Sequence, residues 1–261
     1  MIFGVKKIYI IHKSRIFAKI FKYTHLKMTI YKKPVYCKSC DECNRRSELF
    51  SLLNSEELEV LNQDRFEVTF KAGENIAKQG TTLTHIINLT TGYAKLYIEG
   101  INDRNLLLNL VGPYTILGGP GVFTDHRYHF SVTALEPTSV CFINAGNFKK
   151  IIYSNAVFTA KFLEHLNQKQ SMLYDKLISL TQKQMHGKIA DALIYLSEKI
   201  YKSLEFELTI SRQDLADMTA MSKDSAIRIL KELEKDEIIL INGRKISIPG
   251  MQALKEISAK G

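Results

Sequence analysis

The 261 residues are 45% hydrophobic and 10% aromatic, which supplies packed cores for one or two domains and excludes a low-complexity chain. The formal net charge is +9, but Lys6, Lys7, Lys13, Arg15, Lys19, Lys22 and Lys27 crowd into residues 1–27 with no acid among them. The remainder is only mildly basic, so overall charge is no argument for nucleic acid, and any such affinity has to come from a local patch.

The basic tail does not read as a secretory signal, because cations interrupt every apolar run before it reaches the needed length. It is a poor surface helix too, since Ile8, Tyr9, Ile10 and Ile11 run together without helical spacing. Residues 1–36 read as an N-terminal tail, whose first 27 residues are preferred as an over-extended gene start, with Met28 as the initiator. No later stretch is long and apolar enough to span a bilayer, so a soluble, cytoplasmic protein without a membrane partner is expected.

Three of the four cysteines, Cys37, Cys40 and Cys43, stand at intervals of three, and the fourth, Cys141, falls in a predicted strand over 139–143. In a cytoplasmic protein this clustering argues for metal or redox chemistry over a structural disulfide. Thiolates at that interval can converge on one ion. The plain alternative is an ordinary N-terminal turn, with Cys141 a small buried hydrophobe.

Residues 45–62 pattern as helix, with a second helix opening at Ser55. From Phe66 onward, short apolar runs are broken by Gly73, Gly80, Gly92, Gly100 and Gly112, the texture of an antiparallel sandwich or barrel. Strands are predicted over 67–71, 85–89, 93–99, 105–111 and 131–135. A glycine-rich loop, LGGPGVFTDHRYHF, then carries His126 and His129, which can be read as haem or anion ligands or as surface histidines.

A single long helix is predicted over 155–181. Leu163, Leu166, Leu173, Leu177 and Leu180 fit heptad a and d positions, with Gln170 as a polar a residue, so a parallel homodimer seam is expected. Ile189, Leu193 and Leu196 then form the buried side of the next helix.

From Ser211 to Ile248 two helices and a hairpin can be cut out. Ser211 and Asp214 approximate a capping box, Thr219, Ala220 and Met221 make a break, and Ser222 caps the second helix. Ala226, Ile229, Leu230 and Leu233 make its buried stripe. Its other side shows Lys223, Asp224, Ser225, Ile227, Arg228 and Lys231. Arg can donate two bonds to guanine, Asp can accept from cytosine, and Ile can touch a thymine methyl. The pair Asn242-Gly243 predicts a hairpin turn, whose Arg244 and Lys245 are placed to grip phosphate. A solvated amphipathic helix pair is the bland alternative.

This stretch resembles the winged helix-turn-helix of the CRP/FNR transcription regulators. The family's Ser/Thr-x-Glu-Thr-x-x-Arg falls on Ser222 to Arg228, so Asp224 is a shortened version of the base-reading Glu and Arg228 matches the Arg. Ala220 stands where a turn glycine is usual. The pattern beginning at His186 also resembles the family, and FKAGENIAKQG, TTGYAKLYIEG and ALEPTSVCFI resemble its cyclic-nucleotide-binding β-roll. The resemblance covers residues 37–250. It implies an α+β protein with a β-roll sensor over 37–150, a dimerisation helix over 151–183 and a winged helix-turn-helix over 184–261. Double-stranded DNA, a second copy and RNA polymerase are the implied partners.

In the family's nucleotide pocket a Gly-Glu pair and an Arg-Ser/Thr pair hold the ribose and the cyclic phosphate. Gly118, Gly119, Tyr128 and His129 stand at those places, without the carboxylate or the arginine, so cAMP is not the expected effector. The resemblance to FNR-type oxygen sensors implies an iron–sulfur cluster on Cys37, Cys40, Cys43 and Cys141, with zinc left open by the spacing, although the FNR cysteines are more widely spread. No enzyme is expected, for want of a Ser-His-Asp set, paired carboxylates or a phosphate loop with its Lys.

Overall fold

The computed structural model describes residues 39–261 except Asp41 and Asn44; Met28, Cys37 and the tail lie outside the described residues. The helical texture over 45–62 resolves into a short 3-10 helix, Glu48–Leu52, followed by α1, Ser55–Asn62. Asn54 caps α1: its side chain accepts from the Glu57 N–H, and the Glu57 carboxylate accepts from the Asn54 N–H, both at 2.9 Å.

Eight strands follow: β1 (Phe66–Phe70), β2 (Asn75–Ala77), β3 (His85–Thr91), β4 (Ala94–Glu99), β5 (Asn105–Val111), β6 (Ile116–Leu117), β7 (Ser131–Ala134) and β8 (Thr138–Asn144). They pair antiparallel in two four-stranded sheets, ordered β1-β8-β3-β6 and β2-β7-β4-β5. The six longest match the predicted strands; β2 and β6 are too short to show a period of two. Ile86, Leu89, Val132, Val140 and Ile143 share one core with Leu58, Leu61 and Phe148, so helices cap the roll. Full burial of each such side chain contributes roughly 1.5–3 kcal/mol.

Next come α2 (Ala145–Ser154), which the sequence did not reveal, and the long α3 (Ala156–Gln182). Phe148 of α2 meets Phe158 and Phe162 of α3 with ring centroids 5.9 and 5.3 Å apart, pinning the start of α3 to the roll. Beyond Phe162 the heptad residues Leu163, Leu166, Leu173 and Leu177 are 39% to 52% exposed, an apolar stripe turned away from the chain's own core.

The remainder is α4 (Met185–Tyr195) with a π-helical turn, Leu196–Tyr201, then β9 (Glu205–Glu207), α5 (Arg212–Met218), α6 (Lys223–Lys235), β10 (Leu240–Asn242), β11 (Lys245–Ser247) and α7 (Met251–Lys260). Strands pair in the order β10-β11-β9. Ile189, Leu193, Leu196, Leu215, Ala226, Ile229, Leu230, Leu233 and Leu254 make a second core, which Leu107 and Leu110 of β5 join. The architecture is α+β: a β-roll, a long helix and a C-terminal helix-turn-helix with a small sheet. Among the described residues no helix is long and apolar enough to cross a membrane.

The hairpin turn needs a correction. Asn242 pairs with Lys245, so the two central residues are Gly243 and Arg244, not Asn242 and Gly243. Gly243 has φ 60°, and glycine in the first central position is the type II′ pattern whose twist suits flanking strands.

Candidate nucleic-acid interface and cysteine cleft

The two helices that face outward are fixed by local bonds. The Asp214 N–H donates to Ser211 Oγ at 3.0 Å and the Ser211 N–H donates to the Asp214 carboxylate at 2.9 Å, closing the box that starts α5. Thr219 is buried, Ala220 turns through φ 51°, and the Met221 N–H returns to the Ala216 carbonyl. Ser222 Oγ accepts from the Ser225 N–H at 3.1 Å and opens α6.

With Ala226, Ile229, Leu230 and Leu233 of α6 buried, helical geometry turns the remaining side chains outward. Lys223, Asp224, Arg228 and Lys231 are exposed, and Ser225 and Ile227 are half-buried. Asp224, Ile227, Arg228, Lys231, Glu232 and Lys235 line one open surface. Hydrogen-bond donors, an acceptor and a methyl-bearing side chain therefore share the first turns of one helix, as direct readout of base edges requires. Arg228 Nη1 donates to Glu232 Oε1 at 2.7 Å, and Glu232 Oε2 lies 2.7 Å from Nε2 of His186 in α4. Neither contact was foreseen, although the Arg228 to Glu232 spacing of one helical turn was visible.

The wing cations are less free than their sequence positions imply. Arg244 donates Nε and Nη2 to the Leu208 carbonyl at 2.9 and 2.6 Å, bracing the wing. Lys245 pairs with Glu205 of β9, a strand the sequence did not show. That pair is exposed and so contributes little, and a phosphate oxygen can compete for the ammonium. Arg212 of α5 donates to the Gly243 carbonyl at 3.1 Å and reaches the wing tip.

On the opposite side this unit meets the β-roll. Lys95 of β4 donates to Asp214 of α5, and the Tyr195 hydroxyl accepts from the Leu110 N–H at 3.3 Å. Burial opposes ionisation of Asp214, but the bonds from Lys95 and Ser211 outweigh it and hold the carboxyl below its ordinary range.

The predicted effector residues stand in different surroundings. A Cβ on Gly118 meets Val122 and Ile86, and one on Gly119 meets Phe130. Tyr128 is buried against Phe130 and donates its hydroxyl to the His85 carbonyl at 2.6 Å. His129 faces solvent beside Asp125 at 3.0 Å. The Arg127 guanidinium donates to the Gly80 carbonyl. Gly121 is required here, because a Cβ would lie 1.8 Å from the Arg127 carbonyl oxygen. The strand β6 reaches α3: Lys169 donates to the Ile116 carbonyl at 3.2 Å, and burial pushes its ammonium down to about 8.

Cys40, Cys43 and Cys141 line one cleft with Arg46, Arg65, Glu67 and Asn88. Arg65 Nη1 lies 3.4 Å from Cys141 Sγ. Asn88 Oδ1 is buried without a hydrogen-bond partner among the described residues. Burial raises the Cys40 thiol to about 11, against the pull of Arg65. The cleft encloses about 20 Å³, room for about one water. Among the described residues no group of three metal-ligating side chains is close enough to hold an ion.

Comparison with known proteins agrees with this layout. The Cyclic nucleotide-binding domain family matches residues 67–155, and the Crp-like helix-turn-helix domain family matches residues 187–257. The chain belongs to the CRP/FNR family. Its similarity to the transcriptional activator protein FnrL of Cereibacter sphaeroides is 22% identity over 84% of this chain and 90% of that protein. To the nitrogen fixation regulation protein FixK of Bradyrhizobium diazoefficiens it is 24%, over 80% and 89%. The solved structure of FixK2 from Bradyrhizobium japonicum shares the fold, with TM-score 0.67 and 18% identity over 74% of this chain and 96% of that one. The protein is thus a transcription regulator of the CRP/FNR type, with a DNA-binding helix-turn-helix formed by α5 and α6.

Proposed function

We propose that this CRP/FNR regulator binds a palindromic operator as a homodimer, with α6 of each copy in the major groove and the two grooves about 34 Å apart. The observation that carries the reading is the exposed face of α6, where Lys223, Asp224, Arg228 and Lys231 stand out from a fully buried stripe. Arg228 reads a guanine, Asp224, Ser225 and Ile227 contribute neighbouring base contacts, and Lys223 contacts phosphate. Arg212 and Lys245 add phosphate contacts from α5 and the wing, while Arg244 braces it. The dimer forms along the exposed leucines of α3 and acts from DNA on RNA polymerase, in the cytoplasm.

The division into sensor (37–150), coupling helix (151–183) and reader (184–261) follows from that arrangement, with residues 1–36 as a tail that reading does not require. The signal is not cAMP, because neither a carboxylate at Gly118 or Gly119 nor an arginine at Tyr128 or His129 is available to hold one. Binding-site selection with the native chain and Arg228→Ala tests the reading. A two-fold symmetric consensus that loses preference at one base pair per half-site, by about 1–3 kcal/mol, is expected. An unchanged preference in the variant overturns the role of Arg228.

A second reading is favoured by the convergence of three cysteines on one cleft. Cys40, Cys43 and Cys141, with Cys37, would hold zinc or an iron–sulfur cluster, which supplies sensitivity to oxygen or redox state when bound. The thiol donor set and the adjacent Arg65 and Arg46 suit an anionic thiolate centre. Among the described residues the cleft as it stands brings no three metal-ligating side chains within reach of one ion, so a centre held there draws its thiolates closer together. Anaerobic purification followed by iron, sulfide and zinc analysis decides it: metal lost in Cys141→Ser supports the centre, and a metal-free native protein removes it.

A further inference from the structure

Glu232 sits one helical turn beyond Arg228 and uses both carboxylate oxygens. Oε1 accepts from Arg228 Nη1, and Oε2 lies against His186 Nε2, each at 2.7 Å. The side chains of Arg228, Glu232 and His186 are 53%, 40% and 44% exposed. Pairs this exposed contribute little to stability, so holding the fold together does not account for the arrangement.

Its effect is geometric. The guanidinium has five donors in a rigid fork. Binding Nη1 to a carboxylate that is itself tied to a second helix restrains the rotamer, while the other donors have no partner among the described residues. A side chain already held in its bound rotamer loses less conformational freedom when it meets a base. The carboxylate also places negative charge on a surface that approaches phosphates, which weakens contacts made to the backbone alone. One residue thereby favours the correct base and disfavours indiscriminate binding, the two routes by which specificity is built.

We propose that Glu232, anchored by His186, is the positioning residue for Arg228 and a determinant of operator specificity that touches no base itself. This rests on the reading of Arg228 as the guanine reader. Cations on the same surface, Lys231 and Lys235, are one and three residues from Glu232 along α6, and the described ion pairs of that carboxylate are to Arg228 and His186.

The test is binding-site selection on the full chain, followed by anisotropy titrations against the selected duplex and a scrambled one. The variants are Glu232→Ala, Glu232→Gln, His186→Ala and Arg228→Ala. Glu232→Ala removes both the acceptor and the charge. It is expected to relax preference at the Arg228 base pair about three- to tenfold, while binding to the scrambled duplex tightens about two- to threefold. Glu232→Gln keeps an acceptor for Arg228, so it restores most of the preference while scrambled binding stays tightened. A merely structural role would not separate these two readouts.

His186→Ala loosens the anchor and relaxes the same base pair to a smaller degree; it also decides the matter should Glu232→Ala fail to fold. If Arg228→Ala relaxes a base pair and neither Glu232→Ala nor His186→Ala does, the positioning role is wrong and Arg228 still reads its base. If Arg228→Ala changes no base pair, the base-reading assignment falls and the positioning role falls with it.

Discussion

Lys95 of β4 and Asp214 of α5 form an ion pair that joins the β-roll to the helix-turn-helix, with side-chain exposures of 26% and 10%. The Asp214 carboxylate simultaneously accepts from Ser211 and closes the cap of α5. One buried carboxylate thus ties the start of α5 to a sheet of the β-roll, and Leu107 and Leu110 reinforce it by entering the core of the helix-turn-helix unit. Removing the acid leaves a half-buried ammonium and only half of the capping box, whereas removing the lysine leaves the cap intact. Asp214→Ala is therefore expected to destabilise by about 2–3 kcal/mol and Lys95→Met by about 1 kcal/mol. A double-mutant cycle in urea, monitored by circular dichroism, should give a coupling of roughly 1 kcal/mol; additive losses would mean that the pair does not act as a unit.

The same carboxylate gives the stability a sign in acid. Its folded pKa is depressed, so the folded state binds its proton less readily than the unfolded chain does. The stabilisation is present above the unfolded value near about 4 and is lost as pH falls through that value towards the lower folded one. In urea titrations repeated between about pH 3 and 5, Asp214→Asn should show a shallower loss of stability with falling pH than the native chain. Parallel slopes for the two proteins would assign the acid sensitivity to other groups.

Ala220 occupies a left-handed conformation, φ 51°, in the turn between α5 and α6. A Cβ in that region costs about 1–2 kcal/mol, of which glycine's extra freedom in the unfolded chain returns about half. Ala220→Gly should accordingly raise stability by about 0.5–1 kcal/mol and leave operator affinity within about twofold, since the turn keeps its shape. A thermal melt that moves downward would show that the strain is absorbed elsewhere in the turn.

Much of this was legible in the sequence because it is local. Caps at Ser211 and Ser222, the leucine stripe of α3 and the buried stripe of α6 depend on residues within one or two turns. The six longer strands between Phe66 and Asn144 were readable as short apolar runs with glycine punctuation among them, while β2 and β6 were not. What stayed hidden depends on partners far along the chain. Strand β9 exists only because Glu205, Phe206 and Glu207 find β11 across a long separation, and three residues show no period. The engagement of Arg244 with Leu208, of Lys245 with Glu205 and of His186 with Glu232 likewise needs the fold. At the candidate interface, residue identities were visible; which cations are already bound to their own chain was not.

The last expectation concerns the exposed side of α3. Leu166, Leu173 and Leu177 lie on one stripe, 39% to 48% exposed, and a charge placed there has no core of its own chain to disturb. Leu173→Glu should consequently leave each chain folded, as circular dichroism reads it, while placing like charges at a two-fold seam. A parallel seam loses both buried leucines and gains that repulsion, several kcal/mol in all, which moves a dimer that is stable at micromolar concentration to a monomer. Analytical ultracentrifugation reads the mass, and anisotropy on a full operator and a half-site reads the consequence. The variant is expected to sediment as a monomer and to lose at least about tenfold on the full operator while half-site binding changes little, since only the full site engages two readers. If the variant stays dimeric, the seam lies elsewhere on the chain.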